Sequence, residues 1–394
     1  MTTRLLYLVS HPIQYQAPLL RRLAREPDIE LRVLFEKLDS AASYYDPGFA
    51  RTVSWDVSLL DGYEYVALKD TDLTSALADC DVLWMHGWQS WVARRALSMA
   101  RRQRVPVLMR AENWDGAMPD GAGMRGWLKR WFLQWVFSRC AGFLAVGSRN
   151  RLYYERRGIK SSRIFLMPYG IDNAFFREGA AAAQKHRQNL RRDLKIEDGQ
   201  SVVLVPGKMI ARKHPEHALA AWRRIVTAPA DLPGGKSPAL VFVGDGPLMA
   251  SLREQVMPGE PVHFLGFRNQ TELPALYELA DVVLVPSEQE PWGLVVNEAM
   301  ACGTAVIATD QVGAAFDLIG LETTAESPNA PGLVVPFGEL DTFAEALKSV
   351  LRNSARMGQS AMDRVAAFDF EAQAAGLKSA VSACVLEGGP CRID

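Results

Sequence analysis

The chain has 394 residues, of which 48% are hydrophobic and 23% charged, with a net charge of −1. That length favours two domains with sizeable cores, and the composition excludes a disordered or fibrous chain. No apolar run approaches the ~20 residues that span a bilayer, and the opening "MTTRLLYLVSHPIQY" is cut short by His11 and Pro12, which predicts a cytoplasmic protein.

Cys80, Cys140, Cys302, Cys384 and Cys391 are widely spaced with no CxxC, which argues against a disulfide framework or a zinc site. Charge is unevenly spread. There are 24 basic and 18 acidic residues up to position 175, against 20 and 27 beyond it. A basic half suggests an anionic partner, such as a phosphate-bearing acceptor or an anionic membrane surface. A chance spread of solvated arginines would look the same on charge alone.

Short apolar runs alternate with longer amphipathic segments, the pattern of βαβ units and parallel sheets. Strands are predicted at 5–9, 31–35, 81–85, 105–109, 142–146 and 164–168. His11 follows the first of these and His86, in "MHGWQSW", the third. A hydrogen-bonded structural histidine is the commoner outcome for both, because neither has a metal-ligating companion or a nearby nucleophile. Next comes "MRGWLKRWFLQWVFSRC" (124–140), where a helix would carry an apolar stripe of Met124, Trp127, Leu128, Trp131 and Trp135 between basic flanks. That stripe suits either the surface of an anionic bilayer or packing on the first sheet. The polar, alanine-rich stretch 177–200 reads as a linker leading into a surface helix.

The strand pattern then restarts at 201–206, 239–244, 262–266, 281–286, 304–309 and 333–336. Two doubly wound domains facing a central cleft are predicted, with ligands at the carboxyl ends of their strands. After 201–206, "VPGKMIARKHPEH" puts Gly207, Lys208, Arg212 and Lys213 at such an end, where fixed cations would neutralise a departing diphosphate and a solvated basic loop is the alternative. "VFVGDGPLM" (241–249) lacks the third glycine of a dinucleotide fingerprint and reads as a strand-to-helix turn.

After 281–286 comes "EPWGLVVNEAMACG" (290–303). Pro291 stiffens the entry, Gly293 permits close backbone approach, and the first helical amides offer a phosphate seat. Glu298 leans back toward the opening that Glu290 borders, and Gly303 ends the helix. Two carboxylates beside such a seat fit sugar or ribose hydroxyls. A helix with an incidental Glu in its first turn would leave the same letters. The stretch 369–388 reads as a terminal helix.

Together, "EPWGLVVNEAMACGTAVIATD", "VPGKMIARK", "VHFLGF…LPALYELADVVLVPS" and "LMPYGID" (166–172) resemble the GT-B glycosyltransferases of family 4, which are retaining and use nucleotide-diphosphate sugars. The first matches their E-x7-E motif. The resemblance implies an acceptor-side domain over 1–175, a donor-binding domain over 176–370, and a helix and tail over 371–394 that cross back to the first domain.

It also implies roles. Glu290 would contact donor-sugar hydroxyls near the reacting carbon, and Glu298 would hold the ribose. Lys208, after Gly207, and Lys213 would bind the diphosphate with amides of Trp292, Gly293 and Leu294. The backbone of Phe267 and Arg268 would meet the base. No metal or other cofactor is implied.

The first half departs from the family pattern. "SHPIQYQAPL" (10–19) replaces a glycine-rich loop, as in a subgroup of bacterial surface-polysaccharide transferases, and "RAENWDG" (110–116) stands where many relatives carry a histidine. The acceptor-side candidates are His11, Gln14, Tyr15, His86, Arg110 and Glu112. The expected activity is transfer of a sugar from a nucleotide sugar to a sugar- or lipid-linked acceptor, with peripheral membrane contact through 124–140. Nothing suits a nucleic-acid reader. A nucleotide-sugar epimerase, active on the donor alone, and a non-catalytic sugar-nucleotide-binding module share the scaffold.

Overall fold

A computed structural model describes residues 2–386, so Cys391 and the last two positions of the predicted terminal helix lie outside the described residues. The chain divides into two compact units. The first comprises the residues up to Tyr44, Val57–Gly170 and the chain from Phe368 on, and the second comprises Tyr45–Asp56 and Ile171–Ala367.

In chain order the strands of the first half are β1 (Thr3–Val9), β2 (Ile29–Phe35), β3 (Tyr44–Asp46), β4 (Arg51–Val53), β5 (Glu64–Ala67), β6 (Val82–His86), β7 (Val107–Arg110), β8 (Gly142–Ala145) and β9 (Ile164–Leu166). The helices among them are α1 (Ala17–Leu23), α2 (Leu73–Ala78), α3 (Trp91–Gln103), α4 (Gly123–Phe137) and α5 (Ser148–Glu155). Seven strands form one sheet in the order β5-β2-β1-β6-β7-β8-β9, all pairs parallel. β3 and β4 form a separate two-stranded ribbon.

The central strands are buried on both faces, which is why they read as apolar runs rather than alternations. One face of the sheet is covered by α3 and α4, through Ala93, Ala96, Leu97, Leu133, Val136 and Phe137. The other is covered by α1 and by the C-terminal helix, whose Ala374, Leu377 and Val381 pack with Tyr7, Trp84 and Leu144. Strand order reverses between β1 and β6, so the loops after these two strands border the crevice where doubly wound sheets bind ligands.

The second unit adds α6 (Asn173–Gln184), α7 (Arg187–Asp193), β10 (Val202–Pro206), α8 (Pro215–Val226), β11 (Ala239–Val243), α9 (Met249–Gln255), β12 (Val262–Phe264), α10 (Leu273–Leu279), β13 (Val282–Val285), α11 (Leu294–Ala301), β14 (Ala305–Thr309), β15 (Gly332–Val335) and α12 (Leu340–Val365). The terminal helix of the first unit is α13 (Phe370–Val385). The sheet runs β12-β11-β10-β13-β14-β15, again parallel, and its order reverses between β10 and β13.

Residues 177–200 are not a linker. α6 starts at Asn173, where the Asp172 carboxylate accepts from the Phe175 amide, and buries Phe176 and Ala180 against its neighbours, with α7 following at once. The β11-to-α9 connection is the strand-to-helix turn that "GDGPLM" predicts.

Candidate functional site

In the second unit the loops after β10 and β13, the pair flanking the reversal of strand order, are tied together. The Glu288 amide donates to the Arg212 carbonyl at 2.9 Å, and the Arg212 guanidinium donates to the Gln289 carbonyl at 2.8 Å. Glu290 is 8% exposed, its amide donates to Gln311, and its carbonyl accepts from Gly313. The Lys213 ammonium donates to Glu290 Oε2, and Arg212 lies 3.5 Å from the same oxygen. This desolvated carboxylate is therefore matched by two cations.

Gly293 enters α11 at φ +98°, a conformation that disfavours a side chain, and a Cβ there would meet Glu290 Cγ and Val312 Cγ1 at 3.1 Å each. The Trp292 indole is buried and donates to Asn297 Oδ1 at 2.9 Å, which fixes the loop against the helix it starts. Leu294 is the first helical residue, and Gly303 follows the helix at φ +80°.

One turn into α11, Glu298 Oε2 accepts from the Tyr277 hydroxyl of α10 at 2.6 Å. Burial pushes the Glu298 carboxyl up from its ordinary pKa, and the Tyr277 hydroxyl and Lys213 charge offset only part of that. Lys213 therefore pairs directly with Glu290 and lies within electrostatic reach of Glu298.

Lys208, just after Gly207, is turned elsewhere: its ammonium donates to both Asp46 oxygens at 2.9 Å. Phe267 is in edge contact with Phe49, with 5.0 Å between ring centroids, and Arg268 pairs with Glu272 at 3.1 Å. Among the described residues one cluster, His214, Glu216 and His217, has potential metal-ligating atoms within 4.8 Å of one another. Both His214 nitrogens already meet carboxylates, Glu216 at 2.8 Å and Glu288 at 3.1 Å.

In the first unit the candidates gather where the sheet order reverses. His86, at the end of β6, has Nδ1 3.2 Å from both the Tyr7 hydroxyl and Gln16 Nε2, and Nε2 3.7 Å from Glu112 Oε1. The Tyr169 hydroxyl donates to Glu112 at 2.7 Å, and that of Tyr7 to Gln16 Oε1 at 2.8 Å. Burial opposes ionisation of Glu112, but His86, Tyr169 and the Arg110 charge outweigh it and hold its pKa below the usual range.

Tyr15 brings its ring 6.0 Å from Tyr169, and Gln14, half-buried, precedes it on the same turn. His11 is exposed and its Nδ1 lies 2.8 Å from Ser10 Oγ; partial desolvation of the ring, then the nearby His86, lower its pKa. Arg110 stands behind this network rather than in it. It is 1% exposed, donates to Gln373 of α13 at 2.9 Å, and lies over the Tyr169 ring at 4.7 Å.

Tyr7, Tyr277, Gln16 and Asp46 are among the contributors that escaped the sequence reading. Tyr7 and Tyr277 sit in apolar runs that read as core, and Gln16 lies within "SHPIQYQAPL" without a chemistry of its own. Asp46 meets Lys208 across 162 residues, which no local pattern encodes.

Residues 186–364 match the family model for glycosyl transferases group 1, and residues 13–170 match that for a glycosyl transferase 4-like domain. The chain is 30% identical over 206 residues to a D-inositol 3-phosphate glycosyltransferase of Mycobacterium ulcerans, covering 52% of this chain and 41% of that protein. With the protein of the same name from Mycobacterium tuberculosis it shares 27% identity over 285 residues, covering 72% and 56%. The chain thus spans about half the length of the curated relatives it matches. The crystal structure of Anabaena HepE in complex with UDP and glucose superposes with a TM-score of 0.68 at 16% identity, covering 97% of this chain and all of that one. Each half of the chain thus matches a glycosyltransferase family model, and the fold is GT-B, built from two Rossmann-like domains.

Proposed function

We propose that this chain, each half of which matches a glycosyltransferase family model, moves a sugar from a nucleotide-diphosphate sugar to an acceptor hydroxyl. The observation that carries the proposal is the grouping of Lys213, Glu290 and Glu298 around the entry to α11, at the reversal of strand order in the second unit. The diphosphate sits against Lys208, Lys213 and the amides of Trp292, Gly293 and Leu294, with Gly207 leading the chain into that loop. Glu298 accepts from the ribose, Glu290 faces the donor sugar, and the backbone of Phe267 and Arg268 borders the base. The complexes of HepE with UDP and with UDP-glucose support uridine nucleotides as the first to test.

In the reaction, the acceptor oxygen bonds to the anomeric carbon as the bond from that carbon to the diphosphate oxygen breaks. Attack comes from the face the diphosphate leaves, so configuration is retained, and the acceptor proton passes to the diphosphate. Stabilising the charge that grows on the leaving group is then the main catalytic contribution. No step calls on a bound metal.

In the first unit His11, Gln14, Tyr15, His86 and Glu112 receive the acceptor, while Arg110 supports Tyr169 and Glu112 from behind. The D-inositol 3-phosphate named for the relatives is a phosphate-bearing polyol, which accords with the basic first half of this chain.

The acceptor is sugar- or lipid-linked, and α4 brings the protein to it at the inner membrane surface. No described helix is long and apolar enough to cross a membrane. Met124, Trp127, Leu128 and Trp131 are nevertheless 77%, 58%, 50% and 63% exposed. Neither α3 nor α4 carries an acidic residue, while Arg94, Arg95, Arg101, Arg102, Arg125, Lys129 and Arg130 lie along them. This suits a role in surface polysaccharide or glycolipid assembly.

Thermal unfolding with a panel of nucleotide sugars tests the proposal, because a ligand of the native state raises the melting temperature. At least one nucleotide sugar should stabilise the protein and be consumed only with an acceptor present. Consumption of the donor alone, with a changed sugar, would instead mark an epimerase. No stabilisation by any member would refute the reading.

A further inference from the structure

The excursion Tyr45–Asp56 leaves the first half of the chain and folds within the second unit. Its contacts fall on the loops at the carboxyl ends of three adjacent strands. After β10, Lys208 is held by Asp46, and its ammonium lies 4.7 Å from the centre of the Phe49 ring. After β11, Asp245 lies 3.8 Å from Arg51. After β12, Phe267 meets Phe49, Trp55 (centroids 6.0 Å apart) and the Arg51 guanidinium (5.1 Å), Asn269 donates to the Ser54 carbonyl at 2.7 Å, and the Thr271 amide donates to Asp56 at 3.0 Å. The excursion therefore lies across the loops that carry Lys208 and Phe267.

Asp46 is built to hold that place. It is 8% exposed, and one oxygen also accepts from the amides of Gly48 at 2.8 Å and Phe49 at 3.2 Å. Gly48 lets the lysine lie against the turn, since a Cβ there would stand 2.6 Å from Lys208 Cδ. Burial works against ionisation of Asp46, but Lys208 and the two amides outweigh it and keep its pKa below the ordinary range. A carboxylate with both oxygens 2.9 Å from an ammonium presents that cation with what a phosphate would present. A diphosphate and Asp46 on one lysine would repel each other.

We propose that residues 45–56 are a strap over the nucleotide site, with Asp46 as an exchangeable counter-ion of Lys208 that the donor's diphosphate displaces. The inference rests on the donor reading of Lys208 given above. Diphosphate binding breaks the Asp46–Lys208 pair and loosens the strap where it crosses Phe267. The strap-on form masks Lys208, so the apparent affinity for nucleotide is reduced by the fraction of molecules in that form.

Asp46→Asn keeps an oxygen for the Gly48 and Phe49 amides and removes the charge that pairs with Lys208. Calorimetry with UDP, GDP and ADP should show the preferred nucleotide binding Asp46→Asn about threefold or more tighter than wild type. In the wild-type protein, hydrogen exchange over 45–56 should rise when that nucleotide is added; this second measurement decides the matter if Asp46→Asn does not fold. Equal or weaker binding by Asp46→Asn, or exchange over 45–56 that falls or stays constant, would overturn the strap while leaving the donor site standing. Folded wild type and variant that bind none of the three nucleotides would overturn the donor reading, and the strap with it.

Discussion

Glu298 combines two demands that pull against each other. A ribose clamp is best served by an ionised acceptor, yet the half-buried carboxyl lies against Tyr277, and desolvation raises its pKa from the ordinary 4.5. A folded-state pKa above the unfolded one means that Glu298 favours folding fully below the unfolded value, and that this contribution is lost as pH rises through the folded value. Glu298→Gln should therefore melt close to wild type near pH 4 and gain on it as pH rises toward neutrality. Melting curves across that range check this, and a difference that does not change with pH would mean that Glu298 carries no ionisation cost. Both carboxylates and both lysines were singled out in the sequence, by the spacing of Glu290 and Glu298 and by the basic loop that follows Gly207. Tyr277 was not, since its hydroxyl finds Glu298 through the packing of α10 on α11, which an apolar run does not disclose.

At the scale of the element, α4 resolves an ambiguity that periodicity left open. Its C-terminal half packs on the sheet through Leu133, Val136 and Phe137, while the stripe nearer its start faces outward. Trp135, fifth in that stripe, is half-buried and stacked on Phe132 at 5.9 Å, so the packed and exposed readings each hold for part of the helix. Trp91, at the start of α3, is 64% exposed as well.

If α4 meets lipid, wild-type protein should sediment with anionic liposomes at low salt, and salt should remove the electrostatic share of binding, about 1 kcal/mol per basic residue near the surface. Trp127→Ser and Trp131→Ser, which alter exposed side chains, should fold normally and lose the salt-resistant remainder. Wild type left in the supernatant at low salt would refute the contact. Residues 177–200 show the converse failure of pattern. Their polarity suggested a linker, but only a narrow stripe of Phe176 and Ala180 is needed to seat α6, and alanine favours the helix.

At the scale of the whole molecule, the sheets follow from apolar runs with parallel-strand spacing, and each has one reversal of strand order, beside which most of its candidate residues lie. The excursion 45–56 was not legible, because its hydrogen bonds to Lys208, Asn269 and Thr271 span 162 to 215 residues and its ribbon strands are only three residues long. Cations fixed beside the reversal point of the second unit, with carboxylates as their present partners, give that unit its proposed role as the diphosphate seat. Calorimetry comparing a nucleoside diphosphate with its monophosphate, on wild type and on Lys213→Ala, tests this most directly. The account predicts that wild type prefers the diphosphate by about tenfold or more and that Lys213→Ala loses most of that preference. Equal affinity for the two nucleotides, or a preference undiminished in the variant, would contradict it.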